Sequence, residues 1–195
     1  NQINLSKLNL FLSIKSFFSS NFLLKRAEVA LAKNHIKDLS KITNIFVPKI
    51  INKQFKKIFA KGQIEGEFVI PFNSDGSVAE NYEINTKILD ADINIKKDLK
   101  ISNLSTDIKY VFKSNNDKGI NFFINQGKIL NLDLQKSSID INLKNDKKII
   151  KSKIKTNGAS GYSEIKIISS LLGFDLNNIK NIELTSNLET SVELL

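Results

Sequence analysis

Apolar and polar residues alternate along most of this chain, and a period of two is the pattern of strands with one face turned away from water. Leu8, Leu10, Leu12 and Ile14 form a first run, closed by Ser16, Phe17, Phe18, Ser19, Ser20 and Asn21. A second runs from Phe22 through Leu24, Ala27, Val29 and Leu31. From Gly62 onward Ile64, Gly66, Phe68, Ile70 and Phe72 share one face, with Gln63, Glu65 and Glu67 on the other. Tyr82, Ile84, Thr86 and Ile88 continue the pattern, and Leu89, Ala91, Ile93 and Ile95 carry it on in the opposite parity. A parity switch of this kind predicts a β-bulge near Leu89, where a sheet can bend. Further runs are Ile108-Tyr110-Phe112, Ile120-Phe122-Ile124, Leu130-Leu132-Leu134, Ile139-Ile141-Leu143, Ile150-Ser152-Ile154 and Ile182 to Leu194. The links are short and rich in Asn, Asp and Gly, such as Asn73-Ser74-Asp75-Gly76 and Asn115 to Gly119, which favours antiparallel hairpins.

Two segments break the alternation. Between Asp38 and Ala60 the apolar residues fall three to four apart (Leu39, Ile42, Ile45, Phe46, Ile50, Ile51, Phe55, Ile58, Phe59), the spacing of a helix. Asp38 is a suitable N-cap and Gly62 a suitable stop, while Pro48 predicts a kink or a split into a helical hairpin. Residues 163–172 read as a short helix closed by Gly173. The expected fold is therefore mainly β: an antiparallel meander forming a curved, groove-like sheet, with helix confined to 38–60 and 163–172. Strands are expected over 1–37, a meander over 62–160 and a final strand after the short helix, all within one section of a repetitive β architecture. A one-faced sheet must cover its apolar side. A closed sandwich and an open trough both satisfy that requirement, and the pattern alone leaves both open.

No stretch approaches the roughly 20 apolar residues of a membrane helix; Leu8 to Phe18 is interrupted by Asn9, Ser13 and Lys15. The chain starts at Asn1 and closes mid-pattern at Val192-Glu193-Leu194-Leu195, so it is expected to be a fragment of something longer. With 41% hydrophobic residues it can bury a sizeable core. Zero cysteines exclude disulfides and thiolate metal sites. The formal charge of +9 points first to nucleic acid. Against this, Arg26 is the only arginine, and the lysines are spread through outward strand positions rather than gathered in a patch. The abundance of Lys, Asn, Ile and Phe is what AT-rich codons impose. Nucleic acid is not an expected partner.

Candidate chemistry is sparse. His35, the only histidine, falls in a predicted loop before the helix and reads as a solvated or capping residue. Asp90 and Asp92 lie two apart in a strand, without calcium-loop spacing, and Asp133, Asp140 and Asp146 are dispersed. Gly62 to Gly66 lacks the Gly-Lys-Ser/Thr ending of a phosphate loop. The glycosylation sequons at Asn4 and Asn103 carry little information in so Asn-rich a chain. Phe68, Phe112 and Phe122 fall in the apolar phase of their strands, which makes them core or groove lining rather than base-stacking platforms. No enzyme, cofactor or metal constellation emerges.

The order of these features resembles the AsmA-like envelope proteins, YhdP- and TamB-like chains among them. The resemblance runs from Leu10-Phe11-Leu12-Ser13-Ile14-Lys15 and Leu23-Leu24-Lys25-Arg26-Ala27-Glu28-Val29, through a connecting helix, to Lys61-Gly62-Gln63-Ile64-Glu65-Gly66-Glu67-Phe68. It continues over Leu89 to Ile93, Asn125 to Leu134, Ser137 to Asp140 and the helix Glu164 to Leu172. It covers most of the chain as pattern, without a catalytic motif. The resemblance implies a periplasmic β-groove of an inner-membrane-anchored protein that carries phospholipid between membranes, with the anchor outside this sequence and other envelope proteins as possible partners. Its lipid contacts would be Ile64, Phe68, Ile70, Ile84, Ile88, Ile108, Tyr110, Phe112, Phe122, Ile124, Leu132 and Ile141. The alternatives are a closed, non-catalytic structural or interaction module of an envelope complex, and a nucleic-acid binder acting through its basic surface.

Overall fold

A computed structural model describes residues 3–18, 23–38, 58–96, 99–145, 147–172 and 184–194, the backbone alone for 96, 168–172 and 184–194. Nine strands form one antiparallel sheet in chain order. They are β1 (Leu5–Leu12), β2 (Leu24–His35), β3 (Phe59–Pro71), β4 (Tyr82–Lys96), β5 (Leu99–Ser114), β6 (Asp117–Ile129), β7 (Leu132–Lys144), β8 (Lys147–Ser160) and β9 (Leu184–Leu194). A 3₁₀ turn, Ile14–Phe17, caps the β1–β2 hairpin, and α1 (Tyr162–Leu172) precedes β9. The expected mainly-β meander and short second helix are both present. The sheet does not close on itself: β1 and β9 are its two edges. Each described strand packs substantially only against its sequence neighbours, and α1 packs mainly against β8, with Glu164 accepting from the Asn131 amide of the β6–β7 loop (2.9 Å). Among the described residues this is one open layer, not a two-sheet sandwich.

Short polar links set the register, as a meander requires. Leu130 and Asn131 (φ +48° and +64°) form a two-residue loop between Ile129 and Leu132. In the β3–β4 loop the Asp75 carboxylate accepts from the backbone N–H and hydroxyl of Ser77 (2.9 and 2.6 Å), and Gly76 sits at φ +84°. The β5–β6 link is tighter than expected. Only Asn115 and Asn116 turn, because β6 already begins at Asp117.

A line of bulges crosses the sheet. In β4, Ile88 and Ala91 pair in register with Thr106 and Leu104 of β5, leaving two residues between them on one strand and one on the other. Asp90 and Asn103 take left-handed φ (+49° and +50°) at this line, as does Lys136 (+27°) in β7. Asp and Asn adopt that conformation more readily than most residues. Register shifts continue the line through β2 at Leu31/Asn34, β3 at Lys61/Gln63, the β5–β6 pair at Ser102/Ser105 and the β7–β8 pair at Gln135/Ser138. The bulge expected near Leu89 is therefore one member of a seam, which is hereafter called the crease.

The core lies along the crease. Ile36, Ile88, Ala91, Leu104, Ile124 and Leu134 are buried together, with Phe59, Ile64, Ile93, Ile101 and Ile129 packed around them. Two glycines let side chains on either side of their strands meet. A Cβ on Gly127 would lie 3.3 Å from both Leu104 of β5 and Leu134 of β7, and one on Gly62 would lie 2.8 Å from both Ile36 and Ala91. Polar groups at the seam are satisfied locally. The Ser137 hydroxyl accepts from the Lys155 N–H (2.9 Å) and donates to the Gln135 carbonyl (2.9 Å). The buried Asn34 amide continues the β1–β2 ladder, accepting from the Asn4 N–H (2.7 Å) and donating to the Asn4 carbonyl (2.9 Å).

Three sequence expectations are corrected here. Gly62 does not stop a helix: it is inside β3, at φ +139°, packed against Ala91. Phe59 and Ala60 belong to β3 as well, because strand pairing to β4 outweighs their helical spacing. His35 is not in a loop; it ends β2 opposite Gln63, with its side chain exposed. Residues 36–38 start a helical turn, and the remainder of the expected kinked helix, 39–57, lies outside the described residues.

Candidate lipid-binding face

Directly opposed residues of neighbouring strands share a face, so the pairing defines the surface row by row. One row reads Leu8–Val29–Phe68–Ile84–Tyr110–Ile120–Ile141–Ile150, apolar or aromatic on eight consecutive strands. At the usual spacing between strands it is about 34 Å long. The next row on the same face contains Leu31, Gly66, Thr86, Ile108, Phe122, Ile139 and Ser152. One residue along the chain the character inverts: Lys7–Ala30–Glu67–Asn85–Lys109–Asn121–Asp140–Lys151 forms the corresponding row of the opposite face.

All twelve residues picked as lipid contacts come together on the apolar face, in two zones. Ile88, Ile124 and Leu132 are buried (4–6% exposed) along or beyond the crease. Ile64, Phe68, Ile70, Ile84, Ile108, Tyr110, Phe112, Phe122 and Ile141 are half-buried. All of these except Ile64 and Ile108, which pack against the crease, make up a band beside it. No described element lies over this band. Its edge strand leaves Leu8 and Leu10 53% exposed, so the apolar surface reaches the rim of the sheet. At the β4–β5 end, Tyr82 stacks on Phe112 (ring centroids 5.1 Å apart) and meets Tyr110 at 6.2 Å. Burial, and then the neighbouring Tyr82, push the Tyr110 phenol above its ordinary value, so it remains neutral at physiological pH.

The opposite face is held by charge pairs, across strands and within β2. Lys109 pairs with Glu83 (2.9 Å), Lys87 with Asp107 (3.8 Å), Lys61 with Asp92 (3.3 Å), and Glu28 with both Lys7 (3.1 Å) and Arg26 (3.0 Å). Lys7, Lys61, Lys87 and Lys109 thus each have a carboxylate partner. Asp92 is used by Lys61 and by the Asn103 N–H (3.1 Å), while Asp90 shapes the bulge, so the Asp90/Asp92 pair has a structural use. No cluster of metal-ligating side chains occurs among the described residues. Two shallow hollows, about 680 and 620 Å³, lie on this charged face, the larger lined by Glu65, Glu67, Lys87, Asp107 and Lys109 with Ala30, Ala32 and Phe123. An acyl chain seated there would strip water from paired charges, a cost absent from the apolar band.

The sequence reading missed Leu99, Leu104 and Ile36, all buried. Leu104 was findable. In-phase residues stand three apart at Ile101/Leu104, as they do at Ile88/Ala91, Ile124/Gly127 and Leu134/Ser137, and the repeated three-residue step marks the crease. No helix among the described residues is long and apolar enough to cross a membrane. No protein-family model matches the chain, nor does any curated protein or solved structure.

Proposed function

We propose that this chain is a lipid-binding section of an AsmA-like envelope protein, holding phospholipid acyl chains against the apolar band in the periplasm and passing them between membranes. One observation carries the reading: an apolar row spans eight strands with no described element packed on it, while the row one residue away is polar. An acyl chain is about half a bilayer core in length, roughly 15 Å, and lying along the row it would cross about three strands. Each buried CH₂ contributes about 0.8 kcal/mol, so half-covering a dozen carbons gains several kcal/mol without directional contacts. Transfer along such a surface needs no reactive group, which agrees with a protein acting without catalysis or a cofactor. The anchor to the inner membrane, and any envelope partner, would be supplied by segments outside this sequence.

The test introduces a charge into the band. Phe68→Glu, Tyr110→Glu and Phe122→Glu should each abolish phospholipid co-purification and preserve the β-type circular dichroism spectrum. Lipid retained by all three folded variants would sink the proposal.

A further inference from the structure

The β1–β2 hairpin ends in an apolar tip that the band does not explain. The 3₁₀ turn Ile14–Phe17 is tied down at both ends: Ser16 N–H to the Ser13 carbonyl (2.9 Å), Phe18 N–H to the Lys15 carbonyl (3.1 Å), and Ser13 N–H to the Leu23 carbonyl (2.9 Å). The Ser16 hydroxyl locks it further, accepting from the Leu23 N–H (2.8 Å) and donating to the Leu23 carbonyl (2.9 Å). This well-bonded turn holds its largest side chains out in water. Ile14 and Phe17 are each 76% exposed and Phe18 is 88% exposed, more than any other large hydrophobic residue among those described. Residues three apart in a 3₁₀ turn eclipse one another, so Ile14 and Phe17 project from the same side.

The charged residues nearest the tip along the hairpin, Lys15, Lys25 and Arg26, are all basic. Lys7, Lys15, Lys25 and Arg26 precede the first acid in the sequence, Glu28, and that acid is already engaged by Lys7 and Arg26. Asp75 and Glu80 belong to the next hairpin loop, where Ser77 engages Asp75. Exposed Phe and Ile on a rigid turn, flanked by lysines, form an amphipathic tip that suits a bilayer interface: the apolar side chains reach the acyl boundary while the lysines meet anionic headgroups. We infer that the 14–18 tip is a membrane-docking element that inserts into the interface of an anionic lipid bilayer. It shares with the proposed function only the chemical class of its partner, since its residues are not those of the band.

Because the chain contains no tryptophan, Phe18→Trp gives a single reporter at the tip, and Ile95→Trp, exposed at the opposite end of the strands, gives the reference. With vesicles containing phosphatidylglycerol, indole emission from the Phe18→Trp variant should shift to the blue and be quenched by lipids brominated on their acyl chains. The Ile95→Trp reporter should do neither, and vesicles of phosphatidylcholine alone should bind more weakly. The Phe17→Glu/Phe18→Glu double variant should lose about tenfold or more in vesicle co-sedimentation. Band variants such as Phe122→Glu, taken through the same assay, should still co-sediment, so a failure of the tip and a failure of the band are read separately. Unchanged emission from the tip reporter would overturn the inference and is the result expected if the tip docks on a protein instead. An equal shift at both reporters, or wild-type sedimentation of the double variant, would overturn it as well.

Discussion

Truncating Leu104 and Ile84 to alanine, one at a time, separates the buried crease from the open band. Leu104 is 5% exposed and closes over Gly127 against Leu134, so its removal leaves a cavity between strands that hydrogen bonding holds apart. Losses at such sites run to about 2–5 kcal/mol, and about 3 kcal/mol is expected here. Ile84 is half-buried in the band, paired with Phe68 and Tyr110, with no described layer above it. Its truncation removes three carbons that are about half covered, worth about 1 kcal/mol at 0.8 kcal/mol per CH₂, and leaves no enclosed void. Urea unfolding followed by circular dichroism resolves a gap of about 2 kcal/mol, given unchanged denaturant slopes. A loss of about 3 kcal/mol at both positions would refute the reasoning, since it would mean that the band is covered in the folded protein.

Two further outcomes follow from the same geometry. Gly62→Ala should destabilise more than Gly76→Ala: both have positive φ, but a Cβ at 62 meets Ala91 and Ile36 at 2.8 Å, whereas one at 76 meets nothing within 4 Å. About 1–2 kcal/mol is expected at 76 from conformation alone and about 2–4 kcal/mol at 62, compared by thermal or urea melts. Glu28 should titrate below the ordinary 4.5, because the Lys7 hydrogen bond and then the Lys7 and Arg26 charges favour its carboxylate. Its contribution is thus present above that ordinary value and lost as pH falls through the lowered one, and Lys7→Gln should raise the midpoint measured by carboxyl-carbon NMR.

The strands were legible because hydrogen bonding to both neighbours leaves each residue only two sides to choose between. Ile84, Thr86 and Ile88 against Glu83, Asn85 and Lys87 could therefore be assigned to faces directly. The crease was only partly legible. Each bulge hides inside a three-residue step, such as Ile101 to Leu104 across Asn103, and a lone step reads as a break rather than as part of a line. It takes the strand register to show that the steps fall beside one another. Residues 59–60 misled for a related reason: Phe59 continues the helical spacing of Ile58, yet it pairs opposite Ile93. The band was visible as a set of residues; that no described element covers it was not, since whether a second layer covers a sheet depends on where distant elements go. The exposed tip was read simply as the end of a run, because a turn rich in Ser and Asn looks polar until its two phenylalanines are seen projecting from it.

The central claim is that the apolar band carries lipid. Mass spectrometry of organic extracts from the purified chain, quantified against protein, tests it most directly. The account predicts phospholipid in stoichiometric proportion to the wild-type chain and its loss from Phe122→Glu. A folded wild-type chain that yields no more lipid than that variant would contradict it.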